Sequence, residues 1–190
     1  MSNAYTVLWN SDRIKIARKH DLIGRNIDFL FGGPHTTQPS FIRAGVKAGE
    51  IVYPVSVRDG AVHILSQIRV RAILTVDDFI AEHPDLYPPE ERQGRRAFEI
   101  LDRGVELHPW LRALNWTGSD HVLLAERSTP FSLETVLPSE MLTRMTYRFN
   151  KVERPVSGVA DGRLTTTVGL QGLFRLSFSS ASDFASIFPA

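Results

Sequence analysis

Alternation of apolar and polar residues is clearest in the segment 50–73, where two β-rich runs flank Asp59-Gly60. An Asp-Gly pair in this position is a strong signal for a β-hairpin, because glycine accepts the positive φ angle that the tight turn requires. In the run 68–72, apolar residues alternate with two arginines, which predicts a strand with one buried and one exposed face. Pro54 has no backbone N–H, so we expect the first run to be an edge strand or to be bulged at this residue.

Further strands are predicted on both sides of this hairpin. Residues 5–9 are aromatic and β-branched and predict a first strand, which we expect to end in a turn at the polar cluster 10–12. Beyond residue 107 the β character returns. The elements expected there are strands at 122–125, 131–133 and 164–168, a short helix at 139–145 and an aromatic tail at 173–188 of ambiguous helix or turn character.

Two helices are expected between these β-rich parts. Thr75 is the predicted N-cap of a helix that reaches about residue 82, because the acidic residues after it favour the helix dipole. A second helix is expected from residue 89 or 90 to about Arg103, with proline and acids at its start and Gly104 past its end.

The composition is that of an ordinary folded domain. The 190 residues are 43% hydrophobic and 23% charged, a balance typical of a globular chain. We expect one domain over residues 1–190, with a helical excursion at 75–106 and a C-terminal extension after it. The chain has no cysteine, which excludes disulfides, thiolate catalysis and cysteine-bound metal clusters. No apolar run approaches the ~20 residues of a membrane span and no secretion signal is present, so we expect a cytoplasmic location and no membrane partner.

Charge is distributed unevenly along the chain, although the net charge is only +1. Residues 1–74 carry ten basic and five acidic side chains, a net of +5, whereas residues 75–106 carry four and nine, a net of −5. The segment 13–25 is dense in basic residues, which predicts either a local positive surface or merely a solvated face or mobile loop. The residues expected to contact the phosphates of a nucleic acid are Arg13, Lys15, Arg18 and Lys19.

Common catalytic signatures are missing from the sequence. There is no Gly-x-x-x-x-Gly-Lys-Ser/Thr loop, no Gly-x-Gly-x-x-Gly, no His-Glu-x-x-His and no Gly-x-Ser-x-Gly. None of the six histidines is three or four residues from another, as a helical pair of metal ligands would be, so neither a metal site nor a cofactor is expected. The carboxylate pairs at 77–78 and 90–91 fall at expected helix starts, where the helix dipole explains them.

An aromatic and polar constellation remains as the candidate site. The end of the first strand and a loop at 29–40 combine rings, short polar side chains and two glycines that let a flat ligand approach the backbone. Proteins hold an unstacked base in this way, and the alternative is that the rings are core residues. The expected ligand-binding residues are Asn10, Ser11, Asp12, Phe31, Gly32, Gly33, His35, Tyr53 and Trp116.

Each of these residues has an expected role. The polar cluster 10–12 would bond the edge of the ligand, while Phe31 or Trp116 would stack on its face and His35 would line the rim. Tyr53 is the weaker candidate, because core packing with its hydroxyl at the surface explains it equally well.

Two segments resemble the PUA-like superfamily, in its EVE, YTH and ASCH branches. Residues 7–15, Val-Leu-Trp-Asn-Ser-Asp-Arg-Ile-Lys, are similar to a strand that runs into a serine-containing polar turn. Within residues 39–55, the run Lys-Ala-Gly-Glu-Ile-Val-Tyr is similar to the segment that leads the next barrel strand. The resemblance covers about residues 5–73. It implies an α+β fold, a PUA-like mixed β-barrel with helices packed at the barrel ends.

The positive segment, the aromatic-polar loop and the resemblance together predict a non-enzymatic module that binds nucleic acid, single-stranded or with a modified base. Two other classes stay open. A protein-interaction module of the immunity or antitoxin kind would use the acidic helices, with Glu90, Glu91 and Glu99 at the contact. The resemblance to the ASCH branch implies hydrolysis of small nucleoside derivatives, and the groups for such chemistry would be Ser11, Asp12, Lys15 and Asp120.

Overall fold

A computed structural model of the chain describes residues 2–34, 38–114 and 118–188. They form a mixed α+β structure around a curled, half-barrel sheet. The strands are β1 (Ala4–Leu8), β2 (Phe29–Gly32), β3 (Ile51–Arg58), β4 (Ala61–Ile64), β5 (Ile68–Thr75), β6 (His121–Ser128), β7 (Thr146–Phe149), β8 (Val152–Pro155), β9 (Val159–Ala160), β10 (Arg163–Leu164) and β11 (Leu173–Arg175). The α-helices are α1 (Ser11–Lys19), α2 (Phe41–Ala44), α3 (Val76–Glu82), α4 (Ala97–Leu107), α5 (Ser139–Arg144) and α6 (Phe178–Ile187). Short 3-10 helices cover Pro89–Glu91, Pro109–Leu114 and Val168–Leu170.

The main sheet has the strand order β11-β1-β3-β5-β6-β2, and β4 also pairs with β3. Strands β1 and β3 run parallel, while the other neighbours in this sheet are antiparallel. The predicted hairpin is confirmed, since β3 and β4 are joined by Asp59 at φ 51° and Gly60 at φ 76°. Two positive φ angles define a turn whose twist matches that of the flanking strands.

The sheet is covered on both faces near β1 and β3. Val7 belongs to a core cluster that includes residues of α1, α3 and α4, whereas Val55 belongs to a second cluster that includes residues of α5 and α6. Successive side chains of a strand point to opposite faces, so strands buried on both sides are apolar throughout rather than alternating. This explains why apolar residues occupy both faces of the first strand, in which the buried Thr6 hydroxyl is hydrogen-bonded to the Tyr147 hydroxyl at 3.1 Å.

A buried carboxylate holds β1 and β3 in register. The Glu50 side chain accepts hydrogen bonds from the Tyr5 hydroxyl at 3.1 Å, from the Lys47 backbone N–H at 2.8 Å and from the Asn3 side chain. Gly49 adopts φ 81° in the turn that leads into β3 and donates its amide to Val70 at 2.8 Å. The Lys-x-Gly-Glu segment is therefore a structural turn that closes β3 onto its neighbours.

Neither alternative predicted for Pro54 is found, since β3 is not an edge strand and its pairing with β1 runs through Val7 and Pro54 without a register shift. Strand β3 lies between β1 on one side and β4 and β5 on the other. Ile51 donates its amide to Asn3 on the β1 side, and by alternation residue 54 would donate to the opposite side. On that side β3 pairs with β5 only at residues 51–52 and with β4 from residue 55 onward. Proline is tolerated because it falls where the strand changes partner.

The helix at 75–82 is confirmed, with the Thr75 hydroxyl accepting from the Asp78 amide at 3.1 Å. The second helix differs from the prediction. Only Pro89–Glu91 is helical at its expected start, and α4 begins at Ala97 and continues through Gly104. Glycine is required at 104 because a Cβ there would lie 2.1 Å from the Tyr87 ring, so its role is close packing rather than termination.

Two C-terminal strands were predicted wrongly, and the ambiguous tail has a definite structure. Residues 131–133 are not in a strand, and of residues 164–168 only Leu164 is, at the end of β10. The predicted strand at 122–125 lies within β6, and the predicted helix at 139–145 corresponds to α5. The tail forms β11, which pairs with β1, followed by α6 with Ser177 as its N-cap.

Candidate functional site

The polar cluster after the first strand is the start of a helix and not a turn. The Asn10 side chain accepts a hydrogen bond from the Arg13 backbone N–H at 3.0 Å and so caps α1. An N-cap uses the same residue types as a turn, because in both cases a short polar side chain bonds a nearby backbone group. Asn10 therefore has a local structural role, whereas Ser11 and Asp12 lie exposed in the first turn of α1.

A cationic cleft lies between α1 and the end of β3. It has a volume of about 320 Å³, and none of its described lining residues is acidic. A wider cavity of about 560 Å³ shares Arg58 and His63 with it. The polar residues that line the cleft are Ser11, Lys15, Arg18, Ser56, Arg58 and His63.

The cleft's cations are weakly neutralised. Lys15 Nζ lies 3.1 Å from Asp12 and Arg58 Nε lies 3.6 Å from Asp59, and all four side chains are more than two-thirds exposed. Exposed pairs of this kind contribute little, about 0–1 kcal/mol, and are screened by salt. Within the described residues, Arg18 makes no ion pair. The cleft is thus a positive surface that remains available to an anion.

His63 is held in one tautomer at the edge of the cleft. Its Nδ1 lies 2.8 Å from the Leu133 carbonyl oxygen, which only accepts hydrogen bonds. Nδ1 must therefore carry the proton. Nε2 is left as the ring atom that can accept from, or when protonated donate to, a ligand in either of the two cavities that His63 lines.

Two of the predicted phosphate-contacting residues are not in the cleft. Arg13 donates from Nε to the Ala113 carbonyl at 2.8 Å and stacks its guanidinium 4.2 Å from the centre of the Trp9 ring. Burial lowers the pKa of Arg13 to about 9, so the group is still charged at neutral pH. Lys19 is exposed at the end of α1 and lines neither cavity. Of the four residues predicted to contact phosphates, Lys15 and Arg18 are the two that line the cleft.

An aromatic pocket of about 380 Å³ lies on another side of Trp9. The rings of Trp9 and Phe131 are 5.5 Å apart between centroids, and those of Phe29 and Trp110 are 6.1 Å apart. Trp110 is the partly exposed member of this set. The polar lining residues are Arg25, Asn26 and Asp28.

Trp9 connects the two halves of this candidate site, because it lines both the cationic cleft and the aromatic pocket. Its side chain is almost fully buried, yet its indole N–H has no hydrogen-bond partner within residues 2–34, 38–114 and 118–188. Buried donors are nearly always paired in proteins, so an unpaired one at a cavity wall indicates a position where a ligand or water is expected.

Phe31 and Tyr53, two predicted ligand contacts, are core residues. Phe31 is fully buried, with ring centroids 5.7 Å from Phe29 and 5.5 Å from Phe79, and it has no open face for a base. Tyr53 is equally buried and accepts a hydrogen bond from Gln67 at 3.0 Å. The predicted contacts His35 and Trp116 lie outside the described residues.

The two glycines of the predicted ligand loop serve internal packing. A Cβ on Gly32 would lie 2.4 Å from His121 Nε2, and one on Gly33 would lie 2.0 Å from the Gln38 side-chain oxygen. His121 is itself committed, since Nε2 accepts from the Phe41 backbone N–H at 3.1 Å and Nδ1 is hydrogen-bonded to Asp120. Glycine is needed here because protein atoms, rather than a ligand, approach the backbone.

The groups suggested for hydrolysis do not all lie in one place. Ser11, Asp12 and Lys15 lie together at the start of α1, but Asp120 is bound to His121 beside the Gly32 carbonyl. Among the described residues the Ser11 hydroxyl has no hydrogen-bonded base, which a nucleophile would require.

The acidic groups suggested for a protein contact are largely paired within the chain. Glu91 bonds Arg103 at 3.0 Å and also pairs with Arg95, while Glu99 pairs with Arg96 at 3.1 Å. Hydrogen bonds from Arg103 and Arg95 lower the pKa of Glu91 to about 2. Of the three predicted acids, only Glu90 makes no ion pair in the described part of the chain.

Comparisons with protein-family models, with curated proteins and with solved structures find no match for this chain. In residues 2–34, 38–114 and 118–188, no group of three or more histidine, aspartate or glutamate side chains could hold a metal ion. None of the helices in these ranges has both the length and the apolar character needed to cross a membrane.

The structure adds four site residues that the sequence did not single out as ligands, namely Arg58, His63, Trp110 and Phe131. Arg58 lies on β3, in which Ile51 pairs with Ala4 of the distant strand β1, and His63 lies on β4 opposite Ser56 of β3. Trp110 lies in a short 3-10 helix after α4, where no periodicity marks it. No local signal would have identified these residues.

Proposed function

We propose that this protein is a nucleic-acid-binding module that holds an unstacked or modified base in the aromatic pocket and the neighbouring phosphates in the cationic cleft. One observation carries the proposal: Trp9 lines both a ring-walled pocket and a cleft in which no described lining residue is acidic, and thereby joins an aromatic site to an anion site. A nucleotide has this dual character, since its base is flat and its phosphate is negative.

The pocket offers both contacts that a base requires. Base–aromatic stacking is worth about 1–3 kcal/mol per base, and Trp110 is the ring with an exposed part. Asn26 and Asp28 line the same pocket and supply an amide and a carboxylate for the hydrogen-bonding edge of the base. Base contacts of this kind give selectivity rather than most of the affinity.

The cleft supplies the affinity in this proposal. Lys15, Arg18 and Arg58 come from α1 and β3, and their exposed acidic neighbours compete weakly with a phosphate. The wider cavity that shares Arg58 and His63 is lined by Asp59 and Asp161 as well, so the phosphate site is confined to the cleft.

The PUA-like architecture is also proposed. The resemblance over about residues 5–73 and a curled sheet with a mixed parallel and antiparallel strand order support it. Helices α3 and α4 pack against the same core cluster as Trp9, which agrees with helices placed beside a ligand site.

Fluorescence anisotropy with short labelled single-stranded RNA, single-stranded DNA and duplex probes tests this function. We expect binding to weaken steeply between 50 and 200 mM salt, because phosphate contacts release counterions. Free modified nucleosides at millimolar concentration should compete for the pocket. Absence of binding by every probe at 50 mM salt, or binding that is indifferent to salt, would contradict the proposal.

A further inference from the structure

A second cationic site lies on β5 and β6, away from Trp9. Ile51, Arg69 and Arg127 are register partners across the adjacent strands β3, β5 and β6. Directly opposed residues of neighbouring strands point to the same face of a sheet, so the side chains of Arg69 and Arg127 share a face with Ile51, and all three line one cavity. Two like charges in this arrangement repel each other and destabilise the strand pair unless an anion lies between them.

Neither arginine has an anionic partner among the residues that the structure describes. None of the ion pairs formed by the described residues includes Arg69 or Arg127. The Nε atom of Arg69 is buried and has no hydrogen-bond partner in the described part of the chain. An unpaired buried donor on a charged group is costly, and this cost points to a ligand that the protein is arranged to receive.

Both arginines line a cavity of about 350 Å³ that has two chemically different sides. The polar side is completed by Gln67, Ser128 and Thr129. The apolar side is formed by Ile51 together with Ala185 and Phe188 at the end of α6. Within the described residues no carboxylate lines the cavity, and its volume is that of a small-ligand site.

We propose that this cavity binds a phosphomonoester carried on a small apolar or aromatic body. Two guanidinium groups match the charge of about −1.5 to −2 on a phosphomonoester at pH 7, and each can donate two parallel hydrogen bonds. The ring of Phe188 and the side chain of Ile51 contact the apolar body. The cavity shares no lining residue with the Trp9 cavities, so this site is independent of the proposed nucleic-acid function.

Titration calorimetry with three probes tests the site: phenyl phosphate, inorganic phosphate and benzoate. Phenyl phosphate should bind about tenfold more tightly than inorganic phosphate, which lacks the apolar body, and about tenfold more tightly than benzoate, which carries one charge. Equal affinity for all three probes, or no binding of phenyl phosphate at millimolar concentration, would overturn the proposal.

Single substitutions test whether phenyl phosphate binds in this cavity. Arg69→Gln and Arg127→Gln should each weaken phenyl phosphate binding about tenfold or more, because each removes a charge-assisted contact. Phe188→Ala should reduce the preference for phenyl phosphate over inorganic phosphate.

Arg71→Gln is the matched control, since Arg71 is an exposed arginine of β5 outside the cavity. Arg127 is also exposed, so its variant tests the proposal even if Arg69→Gln alters the fold. Unchanged affinity in both arginine variants would place the probe elsewhere and contradict the site.

Discussion

The ion-paired arginines of the segment 91–106 and the arginines around the cavities carry the same charge but have different partners. In the segment, Arg95, Arg96 and Arg103 bond the carboxylates of Glu91 and Glu99. Around the cavities, no ion pair of the described residues involves Arg18, Arg69 or Arg127, and Arg58 has only an exposed neighbour at 3.6 Å. The first group forms an internal network, whereas the second lines cavities without an anionic partner close by among the described residues.

This difference separates stabilising charges from charges available for binding. A carboxylate held by two arginines contributes to folding and presents little free charge to a partner. Unpaired cations at cavity walls repel one another and gain their main favourable interaction when an anion binds. We therefore expect changes in the segment 91–106 to alter stability, and changes around the cavities to alter binding.

Of the substitutions considered, Gly104→Ala should cause the largest change in free energy. It should lower the stability of the fold and leave ligand binding unchanged. The added Cβ would lie 2.1 Å from the Tyr87 ring inside the packed contact of α4, so we expect a loss of about 3 kcal/mol in the free energy of unfolding. Denaturant titration measures this loss, with Asp102→Ala on an exposed position of the same helix as the control. An unchanged free energy of unfolding would contradict the close contact between Gly104 of α4 and the Tyr87 ring.

Trp110→Ala should act mainly on binding. If Trp110 is the stacking ring, its removal should weaken oligonucleotide binding about ten- to a hundredfold, equivalent to about 1–3 kcal/mol. Phe98→Ala is the matched control, because Phe98 is a half-exposed ring of α4 that does not line the pocket. Equal losses in both variants would show that the aromatic pocket is not the base site.

Glu91→Gln should lower the melting temperature at pH 7, because it removes the acceptor that Arg95 and Arg103 share. Since the pKa of Glu91 falls from 4.5 to about 2 in the folded chain, its stabilisation is present above pH 4.5 and is lost as the pH falls through about 2. The difference in melting temperature between the parent protein and Glu91→Gln should therefore disappear as the pH falls through about 2. Glu90→Gln, which removes an exposed carboxylate without an ion pair, should change the melting temperature less at pH 7. A difference that persists unchanged from pH 7 to pH 2 would contradict the network.

Arg69→Met should have the smallest effect and the opposite sign. It removes an unpaired buried donor and the repulsion from Arg127, so the unliganded protein should gain about 1 kcal/mol, or about 2–4 °C in melting temperature. Differential scanning calorimetry without phosphate in the buffer measures the gain. A loss of stability would show that Arg69 already has a favourable partner.

Local sequence signals predicted the elements that are determined locally. The hairpin at 59–60 and the helix capped by Thr75 depend on turn glycine and capping chemistry that act within four residues. Asn10 shows the limit of such signals, since the same side chain suits a turn and a helix cap. Gly104 shows another, because only the neighbouring Tyr87 ring reveals why glycine is required there.

The candidate site depends on contacts between distant segments and could be predicted only in part. Lys15 and Arg18 were identified from charge density, and both line the cleft. Phe31 was chosen as a ligand contact because it lies beside two glycines, but burial against Phe79 places it in the core. Trp9 ends the predicted first strand at 5–9, yet its position between two cavities follows from the pairing of β1 with β3.

Two triple variants test most directly whether the cations that line the cleft and the ion-paired cations of the segment 91–106 differ in function. The quantity measured is the salt dependence of oligonucleotide binding. The first variant changes Lys15, Arg18 and Arg58 to glutamine, and the second changes Arg95, Arg96 and Arg103 to glutamine, so both lose three positive charges. Both are compared at a temperature where circular dichroism shows them folded. On DNA the slope of log affinity against log salt should fall by about one unit per lost phosphate contact, or about two to three units in the first variant, and should match the parent in the second. Equal reductions in the two variants would mean that only net charge matters, and would contradict the assignment of the cleft as the phosphate site.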